Sequence, residues 1–283
     1  NKISAGAQHT LGIQEDGTLW AWGTGSFGSL GINETTGKSS PVQIGTSSWS
    51  FVSAGYWLSA GITVDGRLFT WGRNGGGQLG LNDTANRSSP VQVGTGTWSE
   101  VAVSEFGSSG VAIKTDGTLW TWGYNAQGEL GINSTVNKSS PTQVGANTWL
   151  TVASGYSRTM GAIDVTGALY RWGLNDGWQI GDGTTITRSS PVQVRALGAN
   201  TYNTLKPERL NTIKSNVWTQ IAAGLSYNMM IDNTNKVYQM GLPPANYAAG
   251  TTGFINRLTA PTTITESGSM IATGPNNAGY TTT

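Results

Sequence analysis

Apolar residues in this chain fall in short runs separated by glycine-containing turns, a pattern of brief strands and tight connections. Within one stretch, residues 49–55 (WSFVSAG), 59–64 (SAGITV), 67–72 (RLFTWG) and 90–94 (PVQVG) read as four successive strands. Asp-Gly stands between the second and third strands at Asp16-Gly17, Asp65-Gly66 and Asp116-Gly117, and predicts two-residue type I′ hairpins there. Asn235 takes the glycine slot in a later copy, a substitution that suits a left-handed backbone. No segment keeps a helical apolar period, and the glycine density opposes helix formation throughout.

The pattern repeats. Trp22, Trp71, Trp122 and Trp172, each followed by glycine, are separated by 49, 51 and 50 residues. Nine residues after each stands Gly31, Gly80, Gly131 or Gly181, and ten further on Pro41, Pro90, Pro141 or Pro191, each behind Ser-Ser. Trp49, Trp98 and Trp149 follow the first three prolines by eight residues, whereas Trp218 follows Pro191 by 27, so an insertion is expected near 195–213. Met240-Gly241 marks a degenerate fifth copy, and residues 270–283 resemble the start of a sixth. Four strands in about 50 residues is the unit of a β-propeller blade, whose radial repetition leaves only short edges. The expected fold is therefore all-β: one propeller across 1–283, with five recognisable blades and part of a sixth, incomplete at one or both ends.

Gly6, His9-Thr10, Asp16-Gly17, Trp22-Gly23 and the segment Gly28 to Gly31 together resemble the repeat of the regulator of chromosome condensation family, and Gly76 to Gly80 (GGQLG) is a fuller copy of the last piece. The resemblance implies a propeller, usually of seven blades. Its members include a guanine-nucleotide exchange factor that also binds chromatin, secreted enzyme inhibitors and many bacterial and phage proteins. It implies no particular site here, because function resides in residues grafted on the fold.

Composition narrows the chemistry. The chain has 283 residues, 16 Lys+Arg against 15 Asp+Glu, and a net charge of +1, which carries no electrostatic footprint for nucleic acid. It has no cysteine, so disulfides, thiolate metal sites and a cysteine nucleophile are excluded. No run approaches the length of a membrane span. The single histidine, His9, has no evident catalytic partners and reads as a structural hydrogen-bonding residue. Asp16, Asp65 and Asp116 are repeated turn residues; Asp176 and Asp182 lack the ladder of a calcium loop; and the Gly75 to Gly77 run leads into no helix that could cradle phosphate. No cofactor, metal site or catalytic set is expected. The phased tryptophans Trp22, Trp71, Trp122 and Trp172 belong to the packing between blades.

Positions that differ between otherwise similar repeats are not dictated by the scaffold. They place aromatic and arginine residues at loop tips, the residue types that anchor protein interfaces: Tyr56, Trp57, Arg73, Phe106, Tyr124, Tyr156, Arg158, Trp178 and Tyr227. The non-repeating stretch from Thr24 to Phe27 belongs with them. The expected function is a non-enzymatic structural or recognition propeller, binding other protein subunits or a cell-surface receptor or glycan, as part of a larger assembly. Low charge and abundant Asn, Thr, Ser and Gly suit a phage virion or a bacterial exterior. Nucleotide exchange or chromatin association, and enzyme inhibition, are the alternatives.

Overall fold

The computed structural model describes residues 3–104, 109–155 and 158–194 in full, and beyond them the backbone of Lys2 and of the strands at 218–223, 227–232, 236–241, 258–267, 270–273 and 278–281. Blade one consists of β1 (Lys2–Ala5), β2 (His9–Ile13), β3 (Leu19–Gly23) and β4 (Lys38–Gln43). Blade two is β5 (Trp49–Ala54), β6 (Leu58–Thr63), β7 (Leu68–Gly72) and β8 (Arg87–Gln92). Blade three is β9 (Trp98–Val103), β10 (Ser109–Lys114), β11 (Leu119–Gly123) and β12 (Lys138–Gln143), and blade four is β13 (Trp149–Ser154), β14 (Thr159–Asp164), β15 (Leu169–Gly173) and β16 (Arg188–Gln193). The backbone of β17 (Trp218–Ala223), β18 (Tyr227–Asp232), β19 (Lys236–Gly241) and β20 (Leu258–Ser267) forms a fifth antiparallel sheet, and β21 (Met270–Thr273) pairs with β22 (Ala278–Thr281). In every four-stranded sheet the strands lie side by side in chain order. The expected insertion near 195–213 lies outside the described residues.

Strand alternation gives each blade two apolar faces, and the core lies between blades instead of within one sheet. Leu11, Leu19, Leu30 and Ile44 of blade one pack against Trp49, Val52 and Trp71 of blade two, and equivalent clusters join blades two to three and three to four. The first strands are also stitched together: the Ala54 amide donates to Ser4 Oγ at 3.0 Å, and the Val103 amide to Ser53 Oγ at 3.1 Å.

The phased tryptophans are the bolts of this arrangement. Trp71, Trp122 and Trp172 are fully buried. Their indole N–H groups donate to the carbonyls of Ser29 (2.9 Å), Gln78 (2.8 Å) and Glu129 (2.8 Å) on the preceding blade. Gly31 and Gly131 are the seats for two of these rings: a Cβ at Gly31 would stand 2.7 Å from Trp71 Nε1, and one at Gly131 2.8 Å from Trp172 Nε1. Trp22 departs from the expectation. It is only half-buried and lines an open cavity with Ile3, Gly12 and Trp20, since among the described residues no preceding blade covers it.

The hairpin turns also differ from the expected type I′. Gly17 has φ 82° but Asp16 is not among the positive-φ residues; the Gly17 amide donates to the Gln14 carbonyl (3.0 Å), and the Gln14 amide to the Thr18 carbonyl (3.0 Å). This is a three-residue loop in which a type I turn is followed by a left-handed glycine, so only one residue needs positive φ. The aspartate then serves as a side-chain acceptor: Asp16 Oδ1 takes hydrogen bonds from the Thr18 amide (2.9 Å) and Thr18 Oγ1 (2.7 Å), which hold its carboxyl below the usual range. The fourth strand starts earlier than its proline, at Arg87 in blade two, and Pro90 sits on the outermost strand, where no further strand needs its missing N–H.

Candidate functional site

The loops joining first to second strands and third to fourth strands emerge at one end of the blades. Their approach is set by the glycine after each phased tryptophan. Gly72 has φ 106°, and a Cβ there would lie 2.2 Å from the Trp57 carbonyl. Only glycine permits this contact, which lets the Arg73 amide donate to the Trp57 carbonyl at 2.9 Å and brings the Arg73 side chain over the Trp57 ring. The Thr24 amide bonds the Gln8 carbonyl in the same way at 2.8 Å, and the Leu174 amide the Arg158 carbonyl at 3.1 Å.

On this frame the structure builds an aromatic cluster across blades one and two. Trp57 meets Phe27 edge-on at 5.2 Å between ring centroids and Tyr56 at 4.2 Å. The Arg73 guanidinium carbon lies 5.0 Å from the Trp57 centroid and 5.6 Å from that of Phe27, within cation–π range of both. Gln8 Nε2 donates to the Tyr56 hydroxyl at 3.4 Å. Phe27 is 39% exposed and sits at φ 58° inside the short 3-10 turn Ser26–Gly28, an unfavourable conformation for a bulky residue. A second pair bridges blades three and four, where Arg158 lies over the Tyr124 ring at 5.4 Å.

Of the loop-tip residues expected from the sequence, Tyr56, Trp57 and Arg73 come together in the first cluster, and Tyr124 and Arg158 in the second. Trp178 has another origin: it occupies the turn position held by Gly28, Gly77 and Gly128 in the other blades, and like them has positive φ, 60°. Phe106 and Tyr156 lie outside the described residues, as does the Tyr227 side chain, whose backbone starts β18. Phe27 and Gln8 complete the first cluster without having been singled out individually. The signal for both was their place in stretches that do not repeat.

His9 is a structural residue by geometry. Ser59 Oγ donates its one proton to the Ser29 carbonyl (2.8 Å), so at 2.7 Å from that hydroxyl His9 Nε2 must be the donor, leaving Nδ1 unprotonated and without a partner. A general base would need the opposite arrangement. Burial lowers the His9 pKa to about 4, whereas burial of Glu100, which accepts from Thr151 Oγ1 at 2.9 Å, raises its carboxyl to about 7. The two oppose each other. The unfolded chain protonates its histidine first as pH falls below about 6.5, which destabilises the fold, and ionises its glutamate first as pH rises above about 4.5, which also destabilises it. Glu100→Gln should therefore uncover a loss of about 2–3 kcal/mol between about pH 7 and pH 4.5, and His9→Gln should reverse the trend, read from urea midpoints. Parallel pH profiles for both variants would show that neither group titrates as its burial dictates.

Asp176 and Asp182 do not converge. Asp182 pairs with Arg188 at 2.6 Å and accepts from the Thr184 amide at 3.0 Å, while Asp176 accepts from Gln179 Nε2 at 2.9 Å. Among the described residues no group of three or more His, Asp or Glu side chains gathers to hold a metal.

The description "Regulator of chromosome condensation (RCC1) repeat" matches residues 16–62, 65–109, 116–161 and 166–231, and a second RCC1-repeat description matches 1–29 and 49–78. The chain belongs to the RCC1 repeat family. Among curated proteins this RCC1-repeat chain is similar to the Arabidopsis thaliana ultraviolet-B receptor UVR8, 27% identical over 146 residues, covering 50% of the chain and 33% of the receptor. It thus spans about a third of that relative's length. Among solved structures, human WBSCR16 superposes with TM-score 0.79 at 21% identity, covering 98% of this chain and 70% of that one. Saccharomyces cerevisiae Prp20p superposes with TM-score 0.75 at 20% identity, covering 98% and 68%. At these identities the structures establish the propeller fold alone.

Proposed function

We propose that this RCC1-repeat propeller is a non-enzymatic recognition module that engages a protein partner through its loop end. The observation that carries the reading is the Phe27, Tyr56, Trp57 and Arg73 cluster: partly exposed aromatics and an arginine, on positions free of the repeat, held by a glycine contact and a strained turn. Such residues dominate interface energetics. Replacing Tyr56 and Trp57 together by serine should weaken partner binding by tenfold or more, on the order of 2 kcal/mol, while shifting the unfolding midpoint little. A photo-crosslinker at position 57 should capture the partner and one at position 145, at the opposite end of the blades, should not. Equal capture from both positions, or collapse of the fold in the double variant, would remove the loop end from the proposal.

The low charge and polar, cysteine-free composition support a setting in a phage virion or on a bacterial exterior. Mass spectrometry of purified virions and culture medium against the cell fraction tests it, and recovery from cytosol alone would count against it. A second reading draws on Prp20p, whose structure is described with binding to Gsp1p and histones. Release of labelled GDP from a small GTPase by this chain would favour it, but the near-neutral charge offers little to chromatin.

A further inference from the structure

We infer that the cluster around Arg73 is a receptor for an acidic peptide segment, with a partner carboxylate seated on the Arg73 guanidinium. The inference rests on the loop end being the contact surface and adds the chemistry of what it takes.

Four basic side chains among the described residues are given carboxylates. Arg67 pairs with Asp65 at 2.7 Å, Lys38 with Glu34 at 2.7 Å, Arg87 with Asp83 at 2.5 Å and Arg188 with Asp182 at 2.6 Å. The last three of these pairs stand at the loop end itself, so those carboxylates are already matched. Arg73 is treated differently. Among the described residues it has no carboxylate and no side-chain hydrogen-bond acceptor, and its contacts are the rings of Trp57 and Phe27. Stacking on ring faces leaves the N–H edge of a guanidinium available, and that edge matches a carboxylate in a bidentate fork.

The surroundings strengthen such a pair. Phe27 and Trp57 form walls on the guanidinium, and Tyr56 packs edge-on against Trp57. Apolar walls exclude water from a pair that would be worth little on an open surface. The walls are assembled at a cost the scaffold does not require, since Phe27 has a left-handed backbone where the aligned Gly76, Gln127 and Gly177 of blades two to four do not. Phosphate would also suit the guanidinium, but the net charge of +1 provides no wider basic field to hold a polyanion.

A fluorescently labelled, end-blocked heptapeptide of glutamates around one phenylalanine tests this, beside counterparts with glutamine or lysine in place of glutamate and a short single-stranded oligonucleotide. Anisotropy titrations should show the acidic peptide binding at least tenfold more tightly than the glutamine peptide, weakening with salt. Arg73→Gln should abolish that preference while leaving the unfolding midpoint near wild type, and Arg73→Lys should restore part of the charge preference without the bidentate contact. If the glutamine or lysine peptide binds as well and Trp57→Ser removes that binding, the surface stands and the acidic class is overturned. If acidic-peptide binding survives both Arg73→Gln and Trp57→Ser, the site itself is elsewhere. No acidic-peptide binding, or tighter binding of the oligonucleotide, also overturns the inference.

Discussion

Trp71→Ala lowers the free energy of unfolding by about 3–5 kcal/mol, and Trp22→Ala by less than half as much. The two tryptophans occupy the same position in adjacent repeats, so the difference isolates what the neighbouring blade contributes. Trp71 is fully buried between blades one and two, edge-on to Trp49 at 5.9 Å and seated against Gly31. Burying a tryptophan removes about 150–250 Å² from water, which at about 25 cal/mol per Å² accounts for several kcal/mol. Alanine leaves a void that rigid strands on both sides cannot close. Among the described residues Trp22 has no preceding blade against it, and its ring borders an open cavity.

Trp71→Phe separates packing from hydrogen bonding. It keeps most of the apolar contact and deletes the indole donor, but the Ser29 carbonyl still accepts from Ser59 Oγ. The lost hydrogen bond should therefore cost only about 1 kcal/mol beyond the volume change. Urea unfolding of Trp71→Ala, Trp71→Phe and Trp22→Ala checks the order. Equal losses at Trp71 and Trp22 would mean that the inter-blade seat is not what the indole stabilises.

The fold was legible because the repeat supplies its own alignment: four copies in phase show which tryptophan, glycine and proline positions the blade requires. The turn type was not, because Asp-Gly suits both a type I′ hairpin and a type I turn ending in a left-handed glycine. The choice depends on strand register, which puts Gln14 opposite Thr18. The burial of Trp22 was misread for a related reason. A repeat specifies a residue's position within its blade, but burial also needs the next object in space. At the loop end, variability between copies identified Tyr56, Trp57 and Arg73, yet the convergence of Phe27 with Trp57 and Arg73 follows from blade packing and has no local trace.

Arg171→Met raises the unfolding free energy by about 2–4 kcal/mol, a gain of the size seen when buried charges are replaced by apolar side chains. The position is occupied by Ala21, Thr70 and Thr121 in the first three blades, and both threonines donate to backbone carbonyls, Leu79 at 2.7 Å and Leu130 at 2.8 Å. In blade four the residue is an arginine, fully buried, whose three guanidinium nitrogens have no hydrogen-bond partner among the described residues. Its strand neighbour explains the fit: Gly161 pairs with Arg171 where Leu11, Ala60 and Val111 stand in the other blades, so the space of a missing side chain is available. Burial pushes the Arg171 pKa down to about 9, against its ordinary value of 12.5. The folded state therefore disfavours the cation relative to the unfolded chain, and below about pH 9, where the group is charged in both states, the fold carries that penalty in full. Methionine has similar length, flexible packing and no charge to desolvate. Thermal and urea unfolding of Arg171→Met against wild type at neutral pH measure the effect. A lower midpoint would show that the guanidinium is held in solution by an acceptor, and Arg171→Lys, which keeps the charge but loses the fork, would then be destabilised as well.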